Sequence, residues 1–212
     1  MKVIRDDVQK LIAIEAHVHY SEPPPPGEPG APAVSFVYVR RDSPVLISAP
    51  HGARTCRNTG SHSWHEEDDY TAGMALLLSE ICDVSAMATI WRSDHEDPNF
   101  HPVESSAYKR ALRDIVERNG IRWIIDLHGA SDDSMNPAQL VDLGTRRDKG
   151  SLPAHQLDRL TGMLEKTFGA GTVSHNEFAA EKEGRTITAF SHGVLGLHAV
   201  QVEMKGAVRV PF

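Results

Sequence analysis

The stretch Ile121–Ala130, IRWIIDLHGA, decides how this 212-residue chain is read. Ile121 to Leu127 is a nearly continuous apolar run, the pattern of a strand covered on both faces within a parallel sheet. The run ends abruptly at His128-Gly129. Ligands of open α/β sheets bind at the carboxyl ends of the strands, and a glycine there lets backbone come close. His128 is therefore a candidate metal ligand or base. Asp126 and His128 stand two apart on a strand and share a face, so Asp126 is placed to join His128 or to orient a neighbouring ligand.

Outward from this strand, apolar runs alternate with helical patterns. On the N-terminal side, SSAYKRALRDIVERNG (105–120) is an amphipathic helix stopped by Asn-Gly, and ATIWR (88–92) is strand-like. EEDDYTAGMALLLSEICD (66–83) reads as a helix whose first-turn acids complement its dipole. VSFVYVR (34–40) and PVLISAP (44–50) suggest a hairpin leading into a buried strand. On the C-terminal side, QLVDLG is a further strand, LPAHQLDRLTGMLEKTFG (152–169) a helix, and GLHAVQVEM (196–204) contains the last strand. Strands alternating with helices predict an α/β domain of three α/β/α layers around a mixed, largely parallel sheet. Residues 34–212 form that single domain, preceded by an arm, 1–33, with a weak helix at 5–16 and the proline-rich SEPPPPGEPGAPA at 21–33.

Composition narrows the chemistry. A net charge of -7 without a basic cluster argues against nucleic acid as a partner. The two cysteines, Cys56 and Cys82, form no C-x-x-C pair, so a disulfide framework and a zinc ribbon are both excluded and a reducing cytoplasm is expected. Asp6, Asp7 and Glu15 interrupt any signal-peptide core, and no apolar run is long enough to span a membrane. No P-loop, dinucleotide-binding or nucleophile-elbow motif occurs. Histidine is over-represented, 12 of 212 residues, which directs attention to metals.

Four strand ends carry ligand-type residues: PVLISAP runs into His51-Gly52, ATIWR into SDHEDPN, IRWIIDL into His128-Gly129, and AVQV into Glu203. Catalytic zinc commonly takes two histidines and one carboxylate and keeps a position open for water. His51 and His128 fit the first two places, and one of Glu66, Glu67, Asp68 and Asp69 the third. Glu203, a lone acid on an apolar strand, would serve as general base, unless it pairs with Lys205 or Arg209. His62 and His65 read as surface-loop residues, and Cys56, beside Arg57, as a structural thiol rather than an activated one.

The segments VLISAPHGA, EEDDYTAG, ATIWRSDHEDPN, IIDLHGA and AVQVEM, in that order between about Pro44 and Arg209, resemble the N-formylglutamate amidohydrolase family of zinc carboxypeptidase-like hydrolases. The resemblance implies a phosphorylase/hydrolase-like fold, one Zn2+ per chain held by His51, an acid of the EEDD run and His128, and Glu203 as general acid/base. The family's acidic ligand precedes an aromatic residue, which favours Asp69, before Tyr70, with Asp68 and Glu67 as alternatives. The family also has an Asp-x-Asn-Arg element; here it is Asp97-Pro98-Asn99-Phe100, so Asn99 is kept and the arginine is not. Arg92 or Arg209 would supply the substrate-binding cation instead. The expected activity is hydrolysis of an amide bond in a small acyl-amino-acid or peptide-like substrate. A metallohydrolase of esters or modified peptides, or a non-catalytic zinc-binding protein, are the alternatives.

Overall fold

In a computed structural model, residues 5–20, 34–58, 60–61, 63–146, 150–180 and 185–211 are described. The proline-rich segment 21–33 and His62 lie outside them. A seven-stranded sheet has the order β1-β5-β2-β6-β9-β7-β8, with β1 Phe36–Val39, β2 Val45–Ala49, β5 Ser85–Thr89, β6 Trp123–Ala130, β7 Val141–Gly144, β8 Val173–His175 and β9 His198–Lys205. The four middle strands β5, β2, β6 and β9 run parallel, whereas β1 and β7 are each antiparallel to their inner neighbour. A small separate hairpin joins β3 Thr55–Asn58 to β4 Ser63–His65.

The apolar runs of the central strands are continuous because both faces are covered. Along β2, β5, β6 and β9, successive residues go to opposite layers. Ile47, Ala88, Ile125 and Val200 pack on the side of α2 Thr71–Cys82 and α4 Ala154–Phe168. Leu46, Met87, Ile124 and Ala199 pack on the side of α3 Ala107–Asn119 and α5 Ile187–Gly193. The expected three-layer α/β/α architecture is observed. α3 starts at Ser106, whose side chain accepts a hydrogen bond from Lys109 N–H, and stops at Gly120 with φ 65°, as Asn-Gly indicated.

Three sequence expectations need correction. β1 and β2 do not form a hairpin, because β5 inserts between them and pairs with both. The acids 66–69 precede α2 instead of occupying its first turn. The strand expected at 88–92 is centred further back, at 85–89. Ahead of the sheet, α1 Arg5–Glu15 packs on α2, and Val18 joins the core beneath it. Among the described residues no helix is long and apolar enough to cross a membrane.

Topology sets the position of the cleft. From β2 the chain passes through α2 to β5 on one side, then through α3 to β6 on the other. The crossovers lie in opposite layers, so a crevice opens between β2 and β6 at their carboxyl ends, the place where such sheets bind ligands. Leu112 of α3 is fully buried under this sheet. Leu112→Ala should cost about 2–5 kcal/mol in a urea unfolding titration, since a cavity is added to the lost burial.

Candidate metal centre

At the head of the crevice, three neighbouring parallel strands deliver three side chains. His51 follows β2 by two residues, His128 lies within β6, and Glu203 stands directly beside it on β9, in register. Gly52 lets the turn after β2 sit tightly on α2: a Cβ there would lie 2.4 Å from the Ala72 Cβ. The fourth group comes from the segment before α2. It is Asp68, which is buried, whereas Asp69 is exposed and points away. Of the acids the sequence offered, Asp68 and not Asp69 is the one grouped with the two histidines.

The Nδ1 atoms of both imidazoles converge on one carboxylate oxygen, Asp68 Oδ2, at 3.5 Å for His51 and 3.1 Å for His128. One ligand atom from each of the three residues lies within 4.8 Å of the other two. Each ring is held from behind. His51 Nε2 is 2.8 Å from Asp97 Oδ1, and His128 Nε2 is 3.3 Å from Asp126 Oδ2 and 3.0 Å from the Asn99 amide nitrogen. Carboxylates behind imidazoles of this kind fix ring orientation and raise basicity in metal sites.

Electrostatics test whether this group suits a cation. Burial disfavours charge on His51, but Asp97 and Asp68 outweigh it and raise its pKa to about 9. His128 is likewise raised well above its ordinary value, with Asp126 and Asp68 overcoming burial. Asp68 is lowered despite burial by its bonds to the two imidazoles. Three buried carboxylates thus favour positive charge at the two rings, and a divalent ion displacing a proton from each would supply the same charge. His51 Nδ1, moreover, is buried and has no well-formed hydrogen bond. Two nitrogens and one carboxylate oxygen are a donor set that suits zinc.

These groups open into a cavity of about 500 Å³. Glu203 faces it; burial raises its carboxyl pKa, the negative Asp68 adds to this, and His128 offsets part of it. Gln201 donates to Glu203 Oε1 at 2.7 Å, and Lys205 donates to the Asn136 carbonyl instead of pairing with Glu203. Asn99 lines the cavity, its carbonyl oxygen accepting Ile187 N–H at the start of α5.

The two expected substrate-binding arginines lie elsewhere. Arg92 pairs with Asp94 at 2.8 Å and stacks over Trp64, and the Arg209 guanidinium fills the space a side chain at residue 129 would take, with a bond to the Asp69 carbonyl. Neither is among the described residues that line the cavity. Among the described residues Arg57 on β3 does line it, and its Nε donates to Asp97 Oδ2 at 2.9 Å.

His65 on β4 also lines the cavity, rather than a surface loop, and stacks on His51 at 3.9 Å between ring centroids. Its Nδ1–H donates to the Glu66 carbonyl at 2.6 Å, while burial and the nearby His51 lower its pKa to about 4. Both residues lie on a short polar hairpin without apolar periodicity, so only the His-rich composition hinted at His65. Cys56 is buried, as a structural thiol would be.

Fold and site together define a three-layer α/β/α scaffold with a buried His-Asp-His group at the carboxyl end of its central strands. N-formylglutamate amidohydrolase from Ralstonia eutropha JMP134 shares this fold, with a TM-score of 0.57 and 14% identity over 82% of this chain and 86% of that one. Gene product Atu2144 from Agrobacterium tumefaciens is also similar, at TM-score 0.50 and 16% identity over 82% and 86% of the two chains. A metallo-carboxypeptidase from Pseudomonas aeruginosa superposes at TM-score 0.46 and 14% identity over 95% of this chain and 60% of that one. No protein-family model and no curated protein matches the sequence. The likeness lies in the fold the sequence motifs implied.

Affinity of this group for a divalent ion should depend steeply on pH. Protons on His51 and His128 compete with the ion, so affinity should rise with pH, by up to about a hundredfold per unit while both rings are protonated. The rise should become shallower once pH passes the His51 value of about 9, where one of the two protons no longer competes. Chelator competition across the pH range measures it.

Proposed function

We propose that the protein is a zinc-dependent hydrolase that cleaves an amide bond in a small acyl-amino-acid or peptide-like substrate. The observation that carries this reading is the convergence of His51 Nδ1, His128 Nδ1 and Asp68 in one buried group, with Glu203 beside it in the same cavity. An ion held there would supply Lewis-acid polarisation of a carbonyl and acidify a water.

The chain's own groups would do the rest. Glu203 keeps one oxygen on Gln201, leaving Oε2 to take a proton from water and pass it to the leaving amine. Its raised pKa suits that exchange, because a carboxyl closer to neutrality both takes and returns a proton more readily. Asp97 and Asp126 hold the imidazoles in position, and Asn99, beside the His128 ring, accepts the N–H of the first residue of α5. Arg57 has its Nε engaged by Asp97, which leaves the end of the guanidinium for a substrate anion, the role expected of Arg92 or Arg209. A carboxylate-bearing substrate follows from that fork-shaped donor.

Elemental analysis of purified protein should find about one zinc per chain, and His128→Ala almost none. Chelation should abolish hydrolysis of matched N-acyl amino acids, and zinc should restore it. Glu203→Gln should keep the zinc and lose at least about a hundredfold in kcat, the scale of a positioned acid/base; a wild-type rate would remove Glu203 from the mechanism. Arg57→Ala should raise KM about tenfold or more for carboxylate-bearing substrates, roughly one charge-assisted hydrogen bond. For the corresponding primary amides KM should change little.

A further inference from the structure

α2 has no cap of its own. Its N-cap residue, Tyr70, makes no side-chain capping bond and has φ 65° and ψ -1°, a left-handed conformation uncommon for a residue other than glycine. The missing partners arrive from α1. Tyr70 N–H donates to Glu15 Oε1 and Gly73 N–H donates to Glu15 Oε2, both at 2.9 Å. Glu15 is buried, although it is a carboxylate at the end of an otherwise largely exposed helix, and the Tyr20 hydroxyl also bonds to it. A negative group at this end of α2 complements the helix dipole.

The neighbouring acids do not fill this role. Glu66 and Glu67 pair with Arg54, Asp69 is exposed, and Asp68 faces the histidines. Glycine at 73 leaves room for Glu15: a Cβ there would lie 2.6 Å from Glu15 Oε2 and would displace the carboxylate.

Asp68 and Tyr70 belong to one hydrogen-bonded turn. Asp68 N–H donates to the His51 carbonyl at 2.8 Å, and the Asp68 carbonyl accepts Thr71 N–H at 3.0 Å and the Thr71 hydroxyl at 2.7 Å. Asp68, turned inward, and Asp69, left exposed, thus stand directly before the left-handed Tyr70. We propose that Glu15 is a positioning residue of the metal centre: by bonding Tyr70 N–H and Gly73 N–H it locks the turn that aims Asp68 at His51 and His128. The inference rests on the metal-centre reading above and adds to it a residue that touches no ligand atom.

The test uses the full-length protein, Co2+ as probe, and the variants Glu15→Gln and Gly73→Ala. Affinity comes from chelator competition, ligand geometry from the visible absorption of the Co2+ form, and local order from amide hydrogen exchange without added metal. Wild type should bind about one Co2+ per chain. Both variants should bind it about tenfold or more weakly, the usual cost of losing an outer orienting group, with a changed absorption band. Tyr70 and Gly73 amides should exchange faster while β6 and β9 stay protected. Gly73→Ala is the sharper of the two, since alanine within a helix is ordinarily a better helix former than glycine.

Wild-type affinity, spectrum and exchange in both variants would overturn the inference and leave the metal reading intact. Protection lost throughout the sheet in both variants would mean a purely structural contact and would also overturn it. A wild type that takes up no Co2+ would remove the metal reading, and this inference with it.

Discussion

A carboxylate removed from water must be matched by donors or positive charge, and Asp68 is matched by two imidazoles carried on two neighbouring strands. That requirement organises the head of the sheet. Imidazoles that turn Nδ1 towards one oxygen must present Nε2 to something else, and Asp97 and Asp126 meet them there. Asp97 is met in turn by Arg57 and by the Asn99 backbone N–H, and Asp126 by the Thr188 hydroxyl. Each buried charge thus recruits the next, until the network reaches β3 on one side and α5 on the other.

The sheet makes this possible at little conformational cost. Because β2, β6 and β9 are adjacent and parallel, His128 and Glu203 meet through register alone, and His51 needs only the two residues after β2 to reach them. The apolar strands are packed by helices on both faces and paired edge to edge, which holds those ends side by side. Rigidity of this kind serves a site whose donor atoms must keep their spacing within a few tenths of an ångström.

Much of this was visible in the sequence, for a physical reason. A strand covered on both faces must be apolar, so a histidine or carboxylate at its end stands out, and His51, His128 and Glu203 were found that way. The alternation of strands and helices was legible for the same reason. What failed was anything decided by partners distant in the chain. The hairpin of β1 with β2 was a local inference that β5 overrules from 40 residues further on. In EEDDY the four acids are nearly equivalent locally, and which of them turns inward depends on a turn bonded to Glu15, 55 residues before Tyr70. Arg57 and His65 lie on short polar strands without the periodicity that marks a buried element.

Asp97 divides its two oxygens between unlike tasks: Oδ1 faces the His51 ring and Oδ2 takes the Arg57 guanidinium. One carboxylate therefore links the group that would grip a substrate to the basicity of the ring that would grip an ion. In an evolutionary lineage, replacing Arg57 to accept a different substrate would also leave Asp97 more negative towards His51 and shift the hold on the metal. Under the proposed function, a change in specificity and a change in the hold on an ion would then be inherited together.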